Sequence, residues 1–573
     1  MFTRIMAREN GRNISPSKIR NEDTVKIRDD VKQMKDSHTY GTFLEISNII
    51  AHRDAITAHI NKGEAEIAML EKGAGGICPS SKPIYPQVRL VLPSFPDCDP
   101  TIAFTVLPYS QTDGGDDKLV DLCDLPRPRV KFVGIGNNAV KTAFKVAGFK
   151  RTKNNNWQAL WSGGSLKTEY FKQLNAYQKV NHFPGTWEVG RKDKLYSHIA
   201  YMKRRHPEDF NFLPRFFVLP KDSRDWFIDF ERQPQVCYIV KPKNSSRGRG
   251  VHLLRKPAEL QQGKECIVQH YIINAALIEG YKYDLRLYVV VTSFDPLRVY
   301  LYKEGLVRFA TEKFTLDHKG LRQKFAHVTN YSVNRKNSKF QQNQHSYQDG
   351  HGSKWSLSAL QKYLASQGVP FGPIWNQICD IVLKTMIAVE PQISTLCQLY
   401  VPNRCCCYEL YGFDIVLDSS FKAWLLEVNT GPALQCPTAL DRHIKYRMVA
   451  DMLHLIGFVP FNREKFKQQE EALRQARLMR GSIFVKGKRS TVKSLDSVQY
   501  TSMVGPDLPF VIQEGESEFI RRGQFERLYP REDWERYGNL FEVPRYNNIL
   551  YCRWLEAHSG SSAREYDGLK KDE

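Results

Sequence analysis

Tyr411-Gly412-Phe413-Asp414-Ile415-Val416-Leu417-Asp418 and, after a short polar break, Trp424-Leu425-Leu426-Glu427-Val428-Asn429 read as two neighbouring strands. A strand alternates its faces with a period of two, so Glu427 and Asn429 share one face of the second strand, and Asp414 shares a face with Val416 on the first. Where those faces meet, two carboxylates and a carboxamide converge. A hard cation such as Mg²⁺ takes a few oxygens of this kind together with phosphate and water. A hairpin with its polar side chains in solvent fits the spacing equally well, but a carboxylate set among strongly apolar residues needs a partner.

Working outward, strand signals recur at 237–240, 266–268, 285–291 and 299–302, and the apolar-periodic run 374–399 predicts a long helix just upstream of the quoted strands. A basic helix is expected over 192–205, ending before Pro207. Nearer the start, strand-like runs at 88–92 and 130–133, then Gly134-Ile135-Gly136 and a helical pattern over 138–146, suggest a small α/β unit. Strands separated by turns and then helices give an α/β (α+β) fold of packed layers, without an internal repeat.

Two further stretches carry chemistry. Ile239-Val240-Lys241-Pro242 followed by Ser245-Ser246-Arg247-Gly248-Arg249-Gly250 places a lysine on a strand and a flexible loop after it. Backbone N–H groups of such a loop can approach phosphate while the lysine neutralises it. Neither GxxxxGK[ST] nor GxGxxG is matched, and a solvated hairpin tip is the plain alternative. In Tyr281-Lys282-Tyr283-Asp284-Leu285-Arg286 the residues Lys282, Asp284 and Arg286 share a strand face, with Arg308 and His327-Val328-Thr329-Asn330 following. Lysine and arginine on one face suit triphosphate and carboxylate; simple salt bridging among the three fits as well.

The 573 residues carry 83 Lys plus Arg against 62 Asp plus Glu, a net charge of +21, which calls for an acidic partner. No stretch has the roughly 18–20 uninterrupted apolar residues of a membrane span, and the start lacks an apolar signal core, so a soluble, unsecreted protein is expected. The 12 cysteines form no CxxC pair, and three of them, Cys405-Cys406-Cys407, are consecutive; reduced thiols fit better than a zinc site. Aromatic residues sit in apolar strands and are not interleaved with basic clusters, which argues against nucleic acid.

The motifs also occur in a familiar order. Asn181-His182-Phe183-Pro184-Gly185, Gly190-Arg191-Lys192-Asp193, Val240-Lys241-Pro242, the Ser245-to-Gly250 loop, Tyr283-Asp284-Leu285-Arg286, Glu304-Gly305-Leu306-Val307-Arg308-Phe309-Ala310, Thr329-Asn330-Tyr331-Ser332-Val333-Asn334 and Leu426-Glu427-Val428-Asn429 resemble the tubulin tyrosine ligase-like family, in its protein polyglutamylase branch. The resemblance covers roughly residues 85–460. It implies an ATP-grasp ligase core that uses ATP and Mg²⁺ to add free L-glutamate to side-chain carboxylates in the acidic C-terminal tails of tubulin or microtubules. It further implies that Lys241 and Lys282 hold ATP phosphates, that Ser246, Arg247, Gly248, Arg249 and Gly250 form a lid, and that Gln269, His270, Tyr271 and Ile272 meet the adenine. Asp414, Glu427 and Asn429 would bind magnesium; Arg286, Arg308, Thr329 and Asn330 would surround the γ-phosphate and acceptor carboxylate; Asp284 would orient this row or reach the ribose. Arg286, Arg308 and Glu427 are the expected catalytic residues, and Cys405 to Cys407 are not. After Asn429, Thr430-Gly431-Pro432-Ala433 stands where the family usually has a residue and then Ser-Pro-Ser, which bears on the choice of amino acid.

The expected division is a polar tail with a possible helix over 43–70 (1–84), an N-terminal α/β lobe (85–185), a central lobe with the lid (186–275), a C-terminal lobe with the metal site (276–460) and a basic, partly ordered extension (461–573). Residues 463–493 hold ten Lys or Arg against three Asp or Glu, and a basic helix over 463–480 suits microtubule binding. The resemblance places such a protein in the cytoplasm on cytoskeletal microtubules, those of a cilium or basal body included. A glycylase with the same ATP site and an inert microtubule-binding protein stand as alternatives; nucleic-acid binding and membrane insertion are not expected.

Overall fold

The β-branched runs near the start build two small sheets. In this computed structural model the described residues are 88–566, apart from 94, 96–97, 106–118, 122–126, 135–137, 244–247, 261–262, 264, 318–319, 342–348 and most of 462–507. β1 (Arg89–Val91) pairs antiparallel with β2 (Thr101–Ile102) and β3 (Leu119–Asp121). β4 (Arg129–Val133), β5 (Lys150–Arg151), β6 (Ala159–Ser162) and β7 (Lys179–Val180) form a parallel sheet in the order β5-β4-β6-β7, with α1 (Asn138–Val146) crossing from β4 to β5. Ala139, Val140, Ala143 and Phe144 form the buried stripe of α1, the spacing of a helix with one apolar face. The expected helix over 43–70 lies outside the described residues, as does the expected helix over 463–480 except for 466, 468, 471 and 475, which are helical.

The basic run 192–205 is α2 (Lys192–Arg205). After it, β8 (Phe216–Leu219), α3 (Ser223–Arg232), β9 (Tyr238–Pro242), β10 (His252–Leu254) and β11 (Cys266–His270) make an antiparallel sheet in the order β10-β9-β11-β8. Its own small core is Phe217, Leu219, Trp226, Tyr238, Val240, Leu254, Cys266 and Val268.

The largest sheet is organised by one long strand. β12 (Leu277–Ile278) leads into β13 (Tyr281–Phe294), which pairs with β14 (Leu297–Tyr302), β15 (Leu306–Phe309) and, further along the chain, β17 (Glu409–Leu417). β16 (Lys354–Ser356) extends it beyond β15, and β18 (Ala423–Asn429) beyond β17. Leu285, Leu287, Val289 and Val291 share a core with α4 (Phe371–Tyr400), while Tyr288 and Val290 share the other with α5 (Ala439–Ile456). The period of two is therefore intact, and over 287–291 both faces are covered by apolar side chains. Among the described residues no helix is long and apolar enough to cross a membrane.

Residues 508–566, which the sequence leaves without a role, complete this sheet. Between α6 (Leu508–Ile520) and α7 (Tyr546–Tyr566), β19 (Phe525–Tyr529) pairs with β14 along its edge. The fully buried Arg298 of β14 donates to Glu514 at 2.6 Å and lies 3.2 Å from Glu518, both on α6, and Arg545 donates to the buried Glu390 of α4 at 2.8 Å. Removing the partners of a buried charge costs about 3–5 kcal/mol, and an uncovered strand edge invites aggregation. A chain ended at residue 507 is therefore expected to be largely insoluble; recovery of a soluble protein with an unchanged melting temperature would refute this.

Candidate active site

β9 and β11 of the smaller sheet and β13, β17 and β18 of the larger one supply the walls of one partly open cleft. Of the residues singled out from sequence, Lys241, Gly248, Arg249, Gln269, His270, Tyr271, Ile272, Lys282, Asp284, Thr329, Asn330, Asp414 and Glu427 line it. Gly248 and Gly250 have φ of 66° and 71°, backbone that favours glycine, and a methyl on Gly250 would stand 2.8 Å from the Pro242 ring. Ser246 and Arg247 lie outside the described residues.

Two buried lysines carry the positive charge of the cleft. Lys241 Nζ donates to Gln269 Oε1 at 2.6 Å and to Tyr196 Oη at 3.2 Å, and burial pushes its pKa down to about 7. Lys282 Nζ donates to Tyr271 Oη at 2.8 Å, sits 4.2 Å over the same ring, and is lowered by burial to about 8 although Asp284 opposes the shift. Neither ammonium has a carboxylate within ion-pair distance among the described residues, so each is placed to gain from an anionic ligand. His270 is fixed from behind: Asp229, on α3 and buried, meets its Nε2 at 2.6 Å and accepts from Tyr238 Oη at 3.0 Å.

The acidic side is built across strands. Arg308 pairs with Asp284 between β15 and β13, and Arg286 with Asp414 between β13 and β17. Arg286 grips Asp414 through Nε (2.5 Å) and Nη2 (3.0 Å); Arg308 grips Asp284 the same way and reaches Asp414 Oδ2 at 2.9 Å. All four are buried. Burial opposes the charge of Asp414, but the two guanidiniums outweigh it and hold the carboxyl well below the usual range. Arg286 and Arg308, expected around a transferred phosphate, thus do not line the cleft here; their forks are occupied by aspartates.

Asp414 is the register partner of Glu427, and Asn429 that of Gly412; Asn429 Nδ2 lies 3.5 Å from Glu427 Oε1. Two carboxylates and an amide near one end of two strands are oxygen donors of the kind Mg²⁺ takes; both Asp414 oxygens are held by the arginines, Glu427 meets a lysine, and Asn429 does not line the cleft. Sequence reasoning missed the cation that meets Glu427: Lys192 Nζ is 2.8 Å from its Oε2. One turn along α2, Tyr196 donates to the Leu426 carbonyl at 2.5 Å. The i, i+4 spacing of Lys192 and Tyr196 was the available signal. Burial pushes the Cys406 thiol up to about 11, which leaves it protonated and unreactive.

Residues 171–466, just over half of the chain, match the model of the tubulin-tyrosine ligase family. The chain belongs to this family. Mouse tubulin monoglutamylase TTLL4 is 36% identical over 535 residues, covering 88% of this chain and 44% of that protein. Human tubulin polyglutamylase TTLL5 is 36% identical over 447 residues, 74% of this chain and 35% of that protein. Tubulin polyglutamylase ttll-4 of Caenorhabditis briggsae is 33% identical over 421 residues, 71% of this chain and 69% of that protein. The chain spans less than half the length of the mouse and human relatives.

In this tubulin-tyrosine ligase family member the turn after Asn429 is tightly seated. A Cβ on Gly190 would lie 2.6 Å from Thr430 Cγ2, so no side chain fits there without moving Thr430. Gly190→Ala is expected to cost about 1–3 kcal/mol by overpacking. Adding Thr430→Ser removes the obstructing methyl and is expected to restore most of the loss. Equal melting temperatures for the single and double variants would contradict this.

Proposed function

We propose that this chain is an ATP- and Mg²⁺-dependent ligase that joins glutamate to side-chain carboxylates of glutamates in acidic protein tails, those of tubulin first. The observation that carries the reading is the single cleft in which two buried, carboxylate-free lysines share walls with Asp414 and Glu427. The printed names of the relatives, tubulin monoglutamylase and tubulin polyglutamylase, support the choice of substrate and amino acid.

A carboxylate is a poor electrophile. In the proposed reaction an acceptor carboxylate oxygen attacks the γ-phosphorus of ATP, ADP leaves, and an acyl phosphate forms. The amine of free glutamate then attacks the acyl carbon, phosphate departs with the C–O bond electrons, and the amine's proton is lost to solvent. Neutralising and aligning anions is the catalytic work, and lysines do it without a covalent enzyme intermediate. Lys241 and Lys282 bind phosphate oxygens; the 269–272 edge, with His270 braced by Asp229, takes the base; residues 246–250 cover the phosphates; Thr329 and Asn330 form the opposite rim. Asp414, Glu427 and Asn429 would hold Mg²⁺, which supplies charge neutralisation at the phosphates. Arg286 and Arg308 keep Asp414 ionised, and Asp284 holds Arg308 in place. Cytoplasmic microtubules, ciliary ones included, are the proposed location, with the basic 463–493 segment as an electrostatic tether.

The direct test is incubation of tubulin with ATP and labelled glutamate or glycine, read by mass spectrometry of the tails. Glutamate addition supports the reading and reports chain length; glycine addition makes the chain a glycylase; neither makes it inert. The lysines add a pH signature. With free-enzyme values of about 7 and about 8, they are partly neutral at pH 8, and a bound triphosphate favours their charged forms. ATP binding at pH 8 is thus expected to take up protons, and affinity to fall as pH rises from 7 to 9. Calorimetry in buffers of different ionisation enthalpy checks this; proton release would refute it.

A further inference from the structure

The motif Thr329-Asn330-Tyr331-Ser332-Val333-Asn334 gives the cleft Thr329 and Asn330, while its last residue, Asn334, is 1% exposed and does not line the cleft. The stretch 328–330 has no regular secondary structure of its own and runs between two single-turn helices, Lys324–His327 and Tyr331–Asn334. A helix of one turn leaves most of its backbone groups without a partner, so such a stretch takes its shape from the side chains around it. Asn334 supplies that support. Its Nδ2 donates to the Val328 carbonyl at 2.6 Å and to the Asn330 carbonyl at 3.2 Å. Its Oδ1 accepts from the Thr311 hydroxyl at 2.8 Å and from the Thr311 amide at 3.0 Å, an amide that also reaches the Phe325 carbonyl at 3.1 Å. Carbonyls only accept and an amide N–H only donates, so these partners fix which way the carboxamide points, and both of its halves are used.

Thr311 follows the end of β15, so the carboxamide pins the 328–330 stretch to a strand of the largest sheet. The Thr311 hydroxyl in turn accepts from Asn337 Nδ2 at 2.9 Å, which leaves its proton for Asn334. On its other side the same stretch carries Gly248, in the loop after Lys241. A methyl on Gly248 would stand 2.9 Å from Asn330 Oδ1, 3.0 Å from Val333 Cγ2 and 3.3 Å from Val328 Cγ1. With a φ of 66° and no Cβ, Gly248 brings bare backbone against this rim. The place of Asn330 thus sets the place of Gly248, and Asn334 sets the place of Asn330.

We propose that Asn334 is a positioning residue for the phosphate end of the nucleotide: it holds the 328–330 stretch against the end of β15 so that Thr329, Asn330 and the Gly248 backbone resting on them meet the terminal phosphate together. This rests on the ligase reading of the cleft, in which the 269–272 edge takes the base and Thr329 and Asn330 form the opposite rim. It adds to that reading a buried residue that touches neither substrate nor metal. A side chain that only supported the fold would act on every ligand of the cleft alike. One that sets the far rim acts on the γ-phosphate, which ATP has and ADP lacks.

The test uses the full chain and calorimetric titration with ATP and with ADP. Asn334→Asp keeps the size of the side chain and its accepting half, but as a carboxylate it cannot donate to the Val328 and Asn330 carbonyls. The Kd for ATP is expected to rise about tenfold, the worth of one well-made hydrogen bond, and the Kd for ADP by less than about twofold, which also reports that the variant is folded. Thr311→Val removes only the hydroxyl side of the clamp and is expected to shift the ratio of the two affinities in the same direction. Gly248→Ala places a methyl against Asn330 without touching Asn334. It is expected to give the same ATP-selective loss, and its combination with Asn334→Asp to lose less than the product of the single losses, because both act through Asn330. An ATP-to-ADP affinity ratio left at the wild-type value in Thr311→Val or in a folded Asn334→Asp protein, or losses that multiply in the double variant, would overturn the positioning role. The expected pattern in a protein that transfers no amino acid to any tubulin tail would overturn the ligase reading and leave the role of Asn334 in nucleotide binding standing.

Discussion

Glu427→Gln is expected to lower glutamate incorporation by about 10³-fold, the loss typical of removing a group that stabilises developing charge. The substitution keeps the shape of the side chain and removes one negative charge from the Asp414–Glu427–Asn429 set, so the effect reads the charge and not the packing. Glu427 is 21% exposed at its side chain and packs at the end of β18, so the melting temperature should move by less than about 2 °C for a surface-like change of about 0.5 kcal/mol. Lys192 loses its partner in this variant, and Lys192→Met tests whether the lysine only holds Glu427. If so, its effect is on the Mg²⁺ concentration needed for half-maximal rate, with a maximal rate near that of wild type. Microtubule co-sedimentation should survive both changes. A Glu427→Gln protein retaining a tenth of the wild-type rate would remove Glu427 from the metal set.

How far the sequence led can be judged from single elements. The apolar run expected as a helix over 374–399 is α4, Phe371–Tyr400, and Pro391 sits inside it without ending it. In contrast, the apolar strand signal covered only 285–291 of β13; Lys282, Asp284 and Arg286 were placed on one strand face, but the partner of Asp284, Arg308 from a neighbouring strand, was not legible there. β19 was missed for a related reason: Glu526 and Arg527 interrupt its apolar pattern because Trp375 and Glu516, from distant elements, satisfy them. The cleft was legible because its residues occur in an ordered series of short motifs, and thirteen of them line one wall or another. What the motifs could not show was which charge each arginine meets. Arg286 and Asp414 are 128 residues apart in sequence and in bidentate contact in space. A spacing rule within one strand contains no information about that.

Arg308→Leu is expected to be the most destabilising single change in the site, for a reason separable from catalysis. Asp284 is buried and receives both nitrogens of the Arg308 fork, whereas Asp414 keeps Arg286 if Arg308 is lost. Stranding one buried carboxylate costs about 3–5 kcal/mol, or a fall in melting temperature of about 6–20 °C for a protein of this kind. In the wild type, Asp414 has a folded pKa held below its unfolded value, so its stabilisation is present above pH 4 and is lost as pH falls further. Asp414 keeps Arg286 in the variant, so this acid-side contribution should persist there. Asp284→Asn added to Arg308→Leu removes the stranded charge and is expected to restore most of the stability. Activity should not return with it, because Asp414 has lost one of the two guanidiniums that keep it ionised beside Glu427. A double variant as unstable as the single one would mean that Arg308 stabilises the fold through packing and not through Asp284; a double variant with wild-type turnover would remove the charge row from the mechanism.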